Sequence, residues 1–146
     1  MNDELFYDTT ILVYAYDESE TEKGNICKSL VENVFSGESK GVISNQVLAE
    51  LFSVLTTKMK IPLSKEVAES LVDKFVESSN WIRINYTEGT VKSAMSTSKV
   101  NKTEFWDSLI AETMKENGIE TIYTENEKDF KKIPGIKVVN PFKEKF

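Results

Sequence analysis

The sequence predicts an α/β protein of three layers, with a short, mostly parallel central sheet covered by helices on both faces. Two observations carry that prediction. Brief apolar runs of strand length alternate with longer segments whose apolar residues recur at helical spacing. The alternation continues along all 146 residues with no linker, low-complexity tract or internal repeat. That length suits one domain with a sizeable core, so residues 1–146 are expected to form a single unit.

The elements follow in order. Leu5-Phe6-Tyr7-Asp8 reads as a short strand, and the acid and threonines before Ile11-Leu12-Val13-Tyr14 look like a strand end turning into a helix. Thr21 to Val34 carries Ile26, Leu30, Val31 and Val34 at helical spacing and closes near Gly37. Gly41-Val42-Ile43-Ser44 is a second strand. Ser44 and Asn45 are natural caps for a helix bearing Val47, Leu48, Leu51, Val54 and Leu55. After the break at Pro62 and Ser64, Val67, Leu71, Val72 and Phe75 mark another helix. Trp81-Ile82-Arg83-Ile84 is a third strand, and Thr90, Val91, Ala94 and Met95 a short helix. Asn101 and Glu104 have capping-box spacing before a helix with Leu109, Ile110, Thr113 and Met114, which Asn117-Gly118 should end. Ile119 to Thr124 and Ile136 to Val139 are the last strands.

Composition narrows the chemistry. The chain has no histidine and one cysteine, Cys27. Histidine general bases, Ser-His-Asp triads and zinc sites built on His or several Cys are therefore excluded. Polar catalysis must rest on carboxylates, lysines, hydroxyls or a hard metal ion held by oxygen. The net charge of −6 argues against simple nucleic-acid binding through a basic surface. It is compatible with acids that take up divalent ions. No run is long and apolar enough for a membrane span, and residues from Met1 to Tyr7 lack the features of a secretory signal. A cytoplasmic location is the expectation.

In open parallel sheets, sites form beyond the carboxyl ends of the strands. Asp8 ends the first strand there. Glu50 lies one to two turns into the helix after the second, on a face shared with Val47 and Val54. Asp107 lies in the first turn of its helix, bordering the inward face. Each has a plain structural reading: Asp8 as a turn cap, Glu50 as a partly exposed acid, Asp107 as a favourable first-turn charge. Together they can converge on one sheet edge, where Mg²⁺ or Mn²⁺ would offset their repulsion. Thr124 and Asn126 follow the Ile119–Thr124 strand at the same edge. Glu127 and Asp129 are further acids of that loop, Phe130 its anchor, and Thr10 and Ser44 supporting hydroxyls or turn caps. Trp81 and Trp106 read as core or dimer-face residues.

At these residues the sequence resembles the PIN-domain family, especially the VapC-like ribonuclease toxins of type II toxin–antitoxin systems. Tyr7-Asp8-Thr9-Thr10-Ile11-Leu12-Val13-Tyr14 resembles the opening motif, with Thr10 where relatives usually carry Asn. Ile43 to Leu51 resembles the second motif, mapping its acid to Glu50. Glu104 to Ala111 resembles the third, mapping its acid to Asp107. Ile122 to Phe130 resembles the fourth, with its hydroxyl at Thr124 and Asn126 at an often acidic position. Ile133 to Pro141 resembles the closing segment.

The resemblance implies a PIN-like fold and endoribonuclease activity by metal-activated water, leaving a 5′-phosphate. Asp8, Glu50 and Asp107 would bind the metal, and Asn126 would complete the catalytic set. It also implies a homodimer and a cognate antitoxin that places a basic residue among the acids. Two other readings compete: a PIN-fold RNA-binding or assembly module without catalysis, and a metal-dependent phosphatase. An aspartate-nucleophile phosphatase would need a second acid at position 10, where Thr10 stands.

Overall fold

The computed structural model of the protein describes residues 4–143. The reading against a secretory signal begins on residues 1–3, outside the described residues. The chain runs through β1 (Leu5–Tyr7), α1 (Thr9–Tyr16), α2 (Thr21–Phe35), β2 (Gly41–Ser44), α3 (Asn45–Thr57) and α4 (Lys65–Glu77). It continues through β3 (Trp81–Ile84), α5 (Glu88–Asn101), α6 (Phe105–Glu116), β4 (Thr121–Tyr123), α7 (Glu127–Phe130) and β5 (Lys137–Val139).

The five strands form one sheet in the order β3-β2-β1-β4-β5. Every ladder is parallel, with Phe6 opposite both Val42 and Ile122. Right-handed crossovers from β1 to β2 to β3 put α1–α4 on one face, and the reversed direction from β3 to β4 to β5 puts α5–α7 on the other. The strand order reverses between β1 and β4, so the crevice of this sheet opens beyond Tyr7 and Tyr123.

The central strands are buried on both sides, as a doubly covered parallel sheet requires. Phe6, Val42, Ile43 and Ile122 are fully enclosed. At the β3 side Tyr7, Phe35, Phe75 and Trp81 form an aromatic cluster, with Tyr7 edge-on to Trp81 at 5.0 Å between ring centroids. Gly41 makes that packing possible. A Cβ there would stand 2.7 Å from the Trp81 ring and 2.8 Å from Val34. Both neighbours are buried and cannot swing away, so Gly41→Ala should cost about 1–3 kcal/mol by overpacking. A lower urea midpoint at unchanged m-value is the expected reading.

Several element ends follow sequence signals. Ser44 caps α3 by accepting from the Val47 N–H at 3.2 Å. Gly118, at φ 71°, ends α6. There the Ile119 N–H reaches the Met114 carbonyl and the Gly118 N–H the Lys115 carbonyl, the paired bonds of a Schellman motif.

Other ends differ from expectation. The expected Asn101–Glu104 capping box is absent. α5 continues to Asn101, and Lys102 then turns the chain through φ 55°. Glu104 itself caps α6, accepting from the Trp106 and Asp107 N–H groups at 3.0 and 3.2 Å. α5 is also far longer than its four apolar residues indicated, because it buries only Thr90 and Ala94. The segment read as a loop after β4 contains the single turn α7.

Candidate active site

Asp8 is the first residue beyond β1 and sits at the crevice between β1 and β4. It is only 7% exposed. Its Oδ1 accepts the Thr9 N–H at 2.8 Å, which caps α1, and its Oδ2 accepts the Thr124 hydroxyl at 2.6 Å. The structural and functional readings of Asp8 are thus compatible: one oxygen starts a helix while the other faces β4. Thr124 is fully buried and its hydroxyl oxygen also accepts the Asn126 N–H at 2.9 Å. That bond fixes the turn so that the Asn126 amide donates to Asp107 Oδ2 at 2.7 Å.

On the other side, the Thr9 hydroxyl donates to Glu50 Oε1 at 2.8 Å. Gln46, one turn earlier on α3, donates weakly to Glu50 Oε2 at 3.4 Å and to the Trp106 carbonyl at 3.2 Å. A chain of neutral donors therefore links Glu50 to Asp8 through Thr9, and Asp8 to Asp107 through Thr124 and Asn126. Three strand-to-helix junctions, after β1, β2 and β4, and the start of α6 meet at this edge, although they lie far apart in sequence.

The electrostatics report an acid cluster under strain. Burial pushes the Asp8 carboxyl above its ordinary 3.8, and the Glu50 charge adds to the shift against the hydrogen bonds from Thr124 and Thr9. Asp107 is pushed up to about 7, first by burial, then by the charges of Asp8, Glu104 and Asp129. Carboxyls displaced in this direction give up their proton less readily than ordinary ones, and a nearby positive charge reverses that.

Among the described residues, no group of three or more Asp, Glu or Cys side chains is already placed to hold a metal ion. The three acids face one region but are each turned onto neutral partners. Their donor chemistry fits a hard divalent cation, since every group is an oxygen and the mutual repulsion is of the kind such an ion relieves.

The remaining sequence candidates separate clearly. Asp129 joins the cluster. Glu127 does not: it pairs with Lys131 at 2.8 Å and Lys143 at 2.7 Å and accepts from Asn140. Those partners lower its carboxyl to about 2, and they tie α7 to the turn after β5. Ser44 is spent on capping α3. Thr10 is exposed, whereas its neighbour Thr9 is buried and carries the contact to Glu50. The side of the helix that Thr9 occupies was the missing information, and a register argument from buried Ile11 and Leu12 does not separate two adjacent threonines at a helix start. Glu125 is held by Lys23 and by the Tyr14 hydroxyl, which fastens the β4 exit to α1 and α2. Phe130 is fully buried, as a loop anchor should be, and Trp81 lies in the core. Trp106 is 51% exposed and is not a core residue.

Thr124 offers a direct test of this network. Thr124→Val keeps the shape but leaves Asp8 Oδ2 and the Asn126 N–H without their partner. A loss of about 1–3 kcal/mol in unfolding free energy is expected, together with an activity loss of roughly 10- to 100-fold typical of removing a group that orients a ligand.

Comparisons with known proteins agree with this fold. The family model described as the PIN domain matches residues 5–136. No curated protein matches the sequence. Among solved structures, the chain is similar to one in the VapBC2 complex of Rickettsia felis bound to a promoter DNA fragment. The two are 25% identical with a TM-score of 0.65, over 94% of this chain and 98% of that one. DNA-bound VapBC from Salmonella typhimurium gives 18% identity and a TM-score of 0.68, over 94% and 98% of the two chains. Mycobacterium tuberculosis VapC20, described as a toxin that cleaves the sarcin-ricin loop, gives 16% identity and a TM-score of 0.65, over 85% of this chain and 91% of that one. With residues 5–136 of its 146 matched by the family model, the chain belongs to the PIN-domain family.

Proposed function

We propose that this protein is a Mg²⁺- or Mn²⁺-dependent endoribonuclease of the VapC-like toxin type, acting as a single domain over residues 1–146. The observation that carries the reading is the coupling of Asp8 to Asp107 across the β1–β4 crevice, with both carboxyls displaced upward. Asp8, Glu50 and Asp107 would hold the ion. A bound ion of this kind supplies a water nucleophile of lowered pKa and stabilises charge on a phosphoryl oxygen.

The chain's own groups prepare that chemistry. Thr124 holds one oxygen of Asp8 in the crevice, and Asn126 aims at Asp107 from the β4 side. Thr9 orients Glu50. RNA as substrate is supported by the resemblance and by VapC20, whose described activity is on an RNA loop. A cognate antitoxin is supported by the solved relatives, which are toxin–antitoxin complexes. A basic residue of such a partner would complement the acid cluster. A homodimer in the cytoplasm completes the proposal. Among the described residues, no helix is long and apolar enough to cross a membrane.

The test is cleavage of a mixed RNA pool by the purified protein, with and without EDTA, and by Asp8→Asn. A second reading, an RNA-binding module without catalysis, is favoured by the unassembled ligand geometry and by Asn126. It would leave RNA binding intact with no metal-dependent cleavage.

A further inference from the structure

A cleft of about 470 Å³ opens beside Glu50, lined by Asn45, Gln46 and Glu50 of α3, by Asn85 and Tyr86 after β3, and by Trp106 of α6. It lies within the range of small-ligand sites. Glu50 belongs both to this cleft and to the acid cluster, so an occupant would sit directly beside the reacting centre.

Its chemistry is specific. Apart from Glu50, none of these groups is charged, which makes the cleft a poor phosphate site. Two aromatic side chains stand at its sides, and Trp106 is left half-exposed next to Asp107. Three side-chain amides supply donors and acceptors together. Gln46 is 9% exposed, and its amide N–H groups are committed to Glu50 and the Trp106 carbonyl. That orientation leaves Gln46 Oε1 buried without a hydrogen-bond partner among the described residues, an acceptor in need of a donor.

Aromatic faces with amide edges and no cation are what an unstacked nucleobase requires. Resting on the endoribonuclease reading, we infer that this cleft receives one unpaired base of the RNA next to the cleaved bond, stacked on Trp106 and read by the amides. The site thereby selects single-stranded or bulged RNA.

The test uses the full chain in EDTA, so that binding is read without cleavage; affinity is read from the fluorescence anisotropy of end-labelled hexamers, and Trp106 fluorescence of the parent protein reports stacking, Trp81 being enclosed in the core. Probes are four homopolymeric RNA hexamers and an abasic hexamer. Base-bearing hexamers should quench fluorescence and bind more tightly than the abasic one. Trp106→Ala should weaken base-bearing binding by about 10-fold or more, Trp106→Phe should retain most of it, and neither should alter abasic binding. Equal binding of base-bearing and abasic hexamers, with Mg²⁺-dependent cleavage present, would overturn the base cleft and leave the nuclease reading standing. No binding and no cleavage of any RNA would overturn both. A Trp106→Ala protein that changes from dimer to monomer with RNA affinity intact would assign the aromatic to a second copy instead.

Discussion

Asp8→Asn should abolish RNA cleavage while leaving a protein at least as stable as the parent. Replacing residues that merely orient metal ligands costs roughly 10- to 100-fold, so removing a ligand charge should cost about 100-fold or more. The stability side follows from burial. Asp8 is 7% exposed and its carboxyl is displaced upward, so its ionised form is unfavourable in the metal-free fold. Asn is also a good helix cap, and its oxygen can accept the Thr9 N–H that now goes to Asp8. Its amide can donate to the Thr124 hydroxyl, whose proton is free to rotate. Unfolding curves and cleavage assays on the same preparation check both halves. Undiminished cleavage by a folded Asp8→Asn protein would sink the assignment.

The second large effect is a pH-dependent response to metal. Asp107 has an ordinary value of 3.8 and is pushed up to about 7 in the fold. A carboxyl raised in this way adds to stability while protonated in both states, below about pH 4. That contribution is lost as pH rises through about 7, because the unfolded chain releases the proton more readily. Metal-free protein should therefore lose stability from this site between about pH 4 and pH 7. Binding of Mg²⁺ or Mn²⁺ must displace the proton, so apparent affinity should rise about tenfold per pH unit below 7 and level off above it. The displaced Asp8 carboxyl acts in the same direction. Thermal shifts with Mn²⁺ at pH 5.5, 6.5 and 8 read this directly: the increment should be largest at pH 8. An increment that does not change with pH would mean that the ion binds elsewhere.

Much of the site was legible in the sequence, and for physical reasons. Short buried strands declare themselves as Val, Ile and aromatic runs, so Gly41–Ser44 and Trp81–Ile84 were visible to the residue. Acids placed just past such strands stand out because buried acids are rare. Contacts between elements were less visible. Thr9 and Thr10 are equivalent in composition, and only the docking of α3 decides which meets Glu50. Glu127 and Asp129 are two residues apart on one turn, yet lysines claim the first and Asp107 the second. Trp106 reads from the sequence as a core or dimer-face residue, and only the packed α6 shows it half-exposed. α5 shows little apolar period because it buries only Thr90 and Ala94, while Lys92, Ser93, Ser96 and Lys99 face solvent.

The hydrogen bond from Thr124 to Asp8 joins residues 116 positions apart in the sequence. A ribosome adds about 5–20 residues per second, so the first acid waits at least several seconds before its partner has been made. During that interval the nascent chain carries Asp8 and Glu50 without the β4 strand that closes the crevice. On the reading proposed above, a nuclease site built in this order stays incomplete until Thr124 and Asn126 have been made.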